Sequence, residues 1–583
     1  MKKHSLKTFW STIKKVIAYA KPHKLYFFLS IIFAFLAIGL NMFLPVMLGW
    51  AIDCVVGVNA VNFAKLGRIL IFIGVQAVTS ATFEWFEVYF ENILTNRTAQ
   101  SMRDKCFEKI NNVPLKYIDN TPHGDIMSTI INDIDNITDG FLSGFKSLLS
   151  GIVTIVSVIV FMVTINVPMA LVVIILAPFS LLISIYISKK SKKLYNQRVN
   201  KLGEISAYSE EMIGNIKVVK AFNNEKQNVE DFQKLNTQFC KSSEKASFYA
   251  SLAWPSTKLV NGVLYAVVAV SGAFVCINGH ISVGQVSTFL SYVENYTSPF
   301  NEIASIVADI QIAVSSADRV FSLIEEQDEV NDENCPNIVN CNGEVKLKDV
   351  CFSYTPQSKL IENLNVTATK GKMIAIVGPT GCGKSTIINL LMRFYDVSSG
   401  KIIVSNRNIQ NVTRKSLRNC YGMVLQESWL YNASIRDNIA YGKPDASMEE
   451  IIEASKLANA HTFIEKLPQG YDTIITENAD NVSAGQKQLI CIARIMLTKP
   501  PMLILDEATS NIDTRTEMNI QQAFDYIMEG RTCFIVAHRL STIINADEIL
   551  VMNKGKIIEQ GTHQELLAKN GFYTQLFNSQ FGA

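Results

Sequence analysis

The stretch Gly378-Pro-Thr380-Gly381-Cys382-Gly383-Lys384-Ser385-Thr386 fits the pattern GxxxxGK[ST], a turn built to grip phosphate. Its glycines let backbone N–H groups converge on phosphate oxygens, and the helix it opens onto adds a favourable dipole. The Lys384 ammonium is placed to neutralise β- and γ-phosphates, and the Ser385 hydroxyl to ligate Mg2+. A second group stands at Leu503-Ile-Leu-Asp506-Glu507, an apolar run ending in two carboxylates. Asp506, at a strand tip, can hold Mg2+ through water. Glu507 beside it can accept a proton from the water that attacks a γ-phosphate. A strand ending in Asp-Glu is commonplace alone; beside a phosphate loop it points to nucleotide hydrolysis.

These residues need rigid elements to hold them. KMIAIVG (372–378) is a buried-strand run leading into the glycine turn. PMLILD (501–506) and TCFIVA (532–537) are strand-like runs with helical stretches between, and VKLKDVCFSY from Val345 alternates as a half-buried strand. This alternation predicts an α/β domain around a largely parallel sheet. Ahead of it, EEQDEVNDENCPNIVNCNG (325–343) is acidic and polar and reads as an exposed linker.

The first half of the 583-residue chain has another character. Six segments carry the roughly 20 apolar residues that a membrane span needs: 25–52, 67–90, 145–165, 168–188, 250–276 and 283–310. Asn166 and Pro168 break the third from the fourth, which predicts a tight helical hairpin. Connections alternate short and long, and the long ones carry the basic residues, among them Lys189, Lys190, Lys192 and Lys193. With the lysines of the N-terminus, that bias places both termini and both long loops in the cytosol. Trp10, Ile13, Val16 and Ile17 share one face of a predicted interfacial helix. The first 24 residues lack the pattern of a signal or transit peptide.

Polar residues interrupt the spans: Glu84, Glu87 and Glu91 on one face of the second, Lys258 and Asn261 in the fifth, and Glu294, Asn301, Glu302 and Asp309 in the sixth. Charges at bilayer depth are costly, so they line a polar substrate path or pair with one another. A net charge of only +2 gives no ground for a nucleic-acid partner. The 11 cysteines show no metal-like spacing, and Cys54 and Cys276, both near outer helix ends, read as unpaired thiols.

Three further segments, Gln426 in MVLQES, Asn481-Val482-Ser483-Ala484-Gly485-Gln486, and His538 in IVAHRL, join the phosphate loop and DEATSNID (506–513). In this order and spacing they resemble the ATP-binding cassette (ABC) superfamily. The resemblance covers essentially the whole chain: the membrane half looks like that of ABC exporters, with GDIMSTIINDID and IGNIKVVKAF similar to its cytoplasmic loops. The implied fold is an all-α six-helix transmembrane domain followed by an α/β P-loop NTPase domain with a helical subdomain. The implied boundaries are an elbow helix at 1–24, the membrane domain at 25–320, a linker at 321–343 and the nucleotide-binding domain at 344–583.

The resemblance also implies roles. Tyr354 stacks on adenine; Gln426 reaches Mg2+ and water; His538 is the switch histidine at the γ-phosphate; Asp513 communicates between two ATPase domains. Ser483, Gly485 and Gln486 cap the ATP held by a second subunit, although Val482 and Ala484 depart from the commonest form, LSGGQ. One phosphate loop and one signature per chain imply a dimer, and SNIDTRTE resembles the competent half of bacterial heterodimeric exporters, which favours a heterodimer over a homodimer. The expected function is ATP-driven export of an amphiphilic drug-like or lipid substrate across a bacterial cell membrane. The alternatives are a homodimeric lipid flippase and a nucleotide-gated channel or receptor on the same fold.

Overall fold

The computed structural model describes residues 6–56, 61–176, 178–355, 359–425, 428–476, 481–506, 513–536 and 543–581. The chain divides into two compact units, 1–112 with 121–326, and 113–120 with 327–583.

The first unit is helical throughout. Helix α1 (Leu6–Ala20) buries Val16, while Lys15 pairs with Glu325 and lies 5.2 Å over the Phe321 ring. Then come α2 (Lys24–Asp53) and α3 (Phe63–Asn112). After α4 (Leu115–Asn120), which groups with the second unit, a helical stretch over residues 123–143 leads into α5 (Gly144–Ile165), and α6 (Val167–Leu176) and α7 (Pro178–Gly214) follow. A short α8 (Ile216–Ala221), α9 (Glu225–Ile277) and α10 (Val283–Ile324) complete the set. Among the described residues, four helical stretches are long and apolar enough to cross a membrane: 11–53, 63–112, 123–165 and 225–277. The other two expected spans fall on α6 with the start of α7, and on α10. The 50 residues of α3 and 53 of α9 exceed what a hydrocarbon core of about 30 Å can hold.

The predicted hairpin break is at Asn166. Its backbone is extended, and its side-chain oxygen accepts the Met169 N–H, so α6 restarts where α5 stops. Without a hydrophobic drive between helices in lipid, close backbone approach and hydrogen bonds must hold them. Gly49 of α2 and Gly284 of α10 provide the approach: a Cβ on Gly49 would lie 2.6 Å from the Gly284 carbonyl oxygen. Asp53 accepts from the Ser282 hydroxyl and the Gly284 N–H, each at 2.7 Å. Deeper, Tyr292 and Thr288 of α10 donate to the carbonyls of Met42 and Pro45. Cys54 and Cys276 are free thiols, as read from the sequence.

The second unit holds two sheets. One is antiparallel, in the order β2 (Ile361–Ala368), β1 (Val345–Phe352), β4 (Ser399–Val404), β5 (Arg407–Asn408). The other has the order β10 (Lys556–Gly561), β9 (Glu548–Asn553), β3 (Met373–Val377), β8 (Thr532–Val536), β7 (Met502–Asp506), β6 (Tyr421–Val424). All of its pairings are parallel except β10 with β9. Successive side chains of β3 alternate between two cores. Ile374 and Ile376 pack with Leu347 and Leu364 toward the first sheet. Ala375 and Val377 pack in the other core with residues of α12 (Ala484–Thr498) and α13 (Thr514–Met528).

The acidic stretch expected to be an exposed linker is irregular but anchored. Arg414 holds Asp332 at 3.2 Å and Glu329 at 3.6 Å, and its backbone N–H also donates to Asp332. Buried Arg393 braces the same corner by donating to the carbonyls of Ile409 and Val412.

Candidate functional site

Strands β3, β8, β7 and β6 run parallel as neighbours, so their C-terminal ends share one edge of the sheet, where open α/β sheets bind ligands. The phosphate loop leaves β3 at that edge and enters α11 (Lys384–Leu391). Gly378, Gly381 and Gly383 take φ of +155°, +79° and +105°. At Gly378 a side chain is excluded twice over, because a Cβ there would lie 2.3 Å from the Met552 carbonyl oxygen. Lys384 Nζ lies back across the loop, donating to the carbonyls of Gly378 at 2.8 Å and Pro379 at 3.1 Å. Its charge is thereby held at the turn. Ser385 is the second residue of α11, and Thr386 is buried. The Cys382 thiol is buried under Gly378, and burial raises its pKa, so at this position the backbone rather than the sulfur is offered to a ligand.

Asp506 ends β7, two strands from the loop, with β8 between. Gln426, Glu507 and His538 lie outside the described residues; the strands that lead to them, β6, β7 and β8, end beside one another.

Tyr354 is held as a firm platform. Its ring meets Phe352 and Tyr395 edge-on, with centroids at 4.9 and 5.0 Å, and its hydroxyl accepts from Asn389 Nδ2 at 3.1 Å. The hydroxyl also donates to Thr386 at 3.4 Å, which ties the ring to α11. Behind it, Tyr395 donates a hydrogen bond to Asp119 of α4, and burial together with this carboxylate raises the Tyr395 pKa. The sequence reading missed Tyr395 and Asp119. Nothing in RFYD or YIDN signals a partner 276 positions away.

The signature residues sit where a helix begins. Ser483 is the N-cap of α12, in a reciprocal capping box: its hydroxyl accepts the Gln486 N–H at 3.3 Å, and Gln486 Oε1 accepts the Ser483 N–H at 2.8 Å. Both side chains are therefore used locally, and the exposed helix end still presents further N–H groups. Gly485 is buried. Of the two departures from LSGGQ, Val482 is buried in the core, and Ala484 is exposed at the first turn. Asp513 caps α13 by accepting the Thr516 N–H at 2.9 Å, and hydrogen bonds from that backbone lower its pKa.

The polar residues of the spans sort into different environments. Lys146 lies 2.6 Å from both Glu87 and Glu91, all three largely buried, so these two carboxylates have a fixed structural cation. Glu84 instead accepts from the Asn41 amide at 2.7 Å. Glu294 and Asp309 are exposed on α10, while the side chains of Asn301 and Glu302 are outside the described ones.

Known proteins agree with this architecture. Family profiles described as "ABC transporter transmembrane region" and "ABC transporter" match residues 27–300 and 361–510. An uncharacterized ABC transporter ATP-binding protein of Bacillus subtilis is 36% identical, over 98% of this chain and 94% of its own. A fatty acid ABC transporter ATP-binding/permease protein of Mycobacterium tuberculosis is 38% identical, over 89% and 82%. A protein of Staphylococcus aureus, provisionally named a multidrug export ATP-binding/permease protein, is 34% identical over 97% and 100%. The solved structure of a bacterial Atm1-family ABC exporter with ATP bound superposes with a TM-score of 0.76 at 27% identity, covering 95% of this chain and 98% of that one. A phosphate loop at the edge of a parallel sheet, carried by the same chain as a bundle of membrane-length helices, thus has close counterparts along its whole length, and the chain belongs to the ABC transporter family as an exporter-type half-transporter whose ATPase is coupled to transport.

Proposed function

We propose that this protein is one half of a heterodimeric pump that exports an amphiphilic, drug-like or lipid-like solute across a bacterial cytoplasmic membrane by alternating access. The observation that carries this is the fusion, in one chain, of membrane-length helices with the loop Gly378–Thr386 at the edge of the parallel sheet. One relative is named for fatty acids and another for multidrug export, which supports the amphiphilic class. The basic residues on the long-loop side support cytosolic termini.

In this reading Tyr354 stacks on adenine, and the loop from Gly378 to Thr386, with Thr380, Gly381, Cys382 and Gly383 contributing backbone, holds the phosphates. Lys384 offsets their charge. The positive-φ glycine turn and the helix start fit such an anion. Ser385, Gln426 and Asp506 are the residues that would hold Mg2+, which supplies charge neutralisation across the β- and γ-phosphates. Glu507 takes the proton of the attacking water, and His538 contacts the γ-phosphate. Ser483, Gly485 and Gln486 of one subunit close over the nucleotide of the other, and Asp513 links the two sites. Closure of the paired ATPase domains biases a membrane domain with two arrangements, and α4 and the region of α8 transmit it.

Glu507→Gln is expected to abolish steady-state ATP hydrolysis while leaving ATP binding intact, measured on the purified assembly. Near-normal turnover would remove Glu507 from the role of base. ATP-dependent accumulation against a gradient in vesicles separates this reading from a gated channel.

A further inference from the structure

The geometry points to a binding site for a protonated amine between α2 and α3, centred on Glu84. This deepens the proposed export function, on which it rests, by naming the solute's chemistry. The site is a polar cluster in an otherwise apolar bundle. Asn41 Nδ2 donates to Glu84 Oε1 at 2.7 Å, Ser80 Oγ donates to Asn41 Oδ1 at 2.8 Å, and Gln76 Nε2 donates to the Leu40 carbonyl. Gln76, Ser80 and Glu84 are spaced by four, so they stack on one face of α3. Asn41 lies about 18 Å along the axis from the Asp53 end of α2 and about 25 Å from its Lys24 end, well inside the span.

Two features mark the cluster as a ligand site rather than a closed structural network. Gln76 is 92% buried, from its 8% exposure, and its Oε1 has no hydrogen-bond donor. Glu84, by contrast, reaches the surface of the helix and is partnered by a neutral amide; among the described residues no cation lies within ion-pair range of it. The same helix shows what a structural solution looks like, since Glu87 and Glu91 share Lys146. At Glu84 the surplus is of acceptors and negative charge, which calls for a cation bearing N–H donors. Beside it Phe86 stacks on Phe33 at 5.2 Å, Phe83 lies tilted to the same ring at 5.8 Å, and Trp85 is exposed, giving aromatic surface to an alkyl chain. An ammonium group with an apolar tail meets the demand at Glu84, and Gln76, about 12 Å further along α3, adds an acceptor on the same face. A carboxylate such as that of a fatty acid meets the wrong charge.

The test uses the full-length transporter, with any second subunit that co-purifies, in nanodiscs of phosphatidylcholine and phosphatidylglycerol, lipids without primary amines. Binding of radiolabelled dodecylammonium, dodecanol and dodecanoate is compared without ATP. The wild type is expected to bind dodecylammonium about tenfold or more tightly than dodecanol. Glu84→Gln, nearly isosteric and still able to meet Asn41, should bring the two together, while Glu84→Asp should keep a preference for the amine. Melting curves and size-exclusion profiles establish that the variants are folded, and the Asp variant carries the test if Gln is not. An unchanged amine preference in Glu84→Gln, or a wild type that prefers dodecanoate, overturns the site. Because the assay needs no ATP, either result leaves the export reading intact; that reading fails separately if the wild type moves no solute when given ATP.

Discussion

Arg319 pairs with the buried carboxylate of Asp133, both outside the expected spans 145–165 and 283–310. Asp133 is 3% exposed and accepts from Arg319 Nε at 2.7 Å, from Arg319 Nη2, and from the Ser316 hydroxyl at 2.8 Å. Burial alone would raise its pKa, but the hydrogen bonds from Arg319 and Ser316 outweigh it and lower the value. A carboxylate held below its unfolded value of about 3.9 adds stability above that pH and loses it as pH falls through the folded value. Arg319→Ala strands the buried carboxylate and should cost about 2 kcal/mol near neutral pH, less than for a fully buried pair because water reaches half of Arg319. Melting curves in detergent from pH 6 down to pH 3 check this: the gap between wild type and variant should be full at pH 6 and close in the acid limb. A gap that persisted at pH 3 would assign the loss to packing of the arginine stem instead.

At the scale of elements, the capping box of α12 gives Ser483 a structural duty alongside the proposed nucleotide contact, and the two can be separated. Asp is as good an N-cap as Ser, so Ser483→Asp should melt close to the wild type, yet its charge would repel phosphate and cut ATP hydrolysis at least about tenfold. Ser483→Ala should lose about 1 kcal/mol of stability. Full ATPase activity in the Asp variant would mean that this helix start faces no phosphate. The strands and turns bearing these residues were legible because their signals are local: a buried run into a glycine turn, an apolar run ending at Asp506, and an Asn-Pro break in an apolar stretch. Partnerships across long separations were not. Glu84, Glu87 and Glu91 of α3 look alike in the sequence, and only the fold assigns Lys146 to Glu87 and Glu91 and leaves Glu84 with an amide. The anchoring of Asp332 by Arg414 turned an apparently free linker into part of a domain for the same reason.

For the whole molecule, the prediction is one of assembly. Purified from its native membrane, the protein should appear by native mass spectrometry as a pair of two different half-transporter chains in equal amounts; a pair of identical chains that hydrolyses ATP at full rate would replace the heterodimer with a homodimer. The division of the chain bears also on how it is made. Residues 113–120 precede most of the membrane bundle in sequence yet group with the unit that begins at Gln327. Asp119 must wait for Tyr395, 276 residues later, and at the usual translation speed of about 5–20 residues per second that delay is on the order of 15–55 s. Throughout this interval α4 stands without its partner, so folding of the second unit must close a loop opened near the start of synthesis.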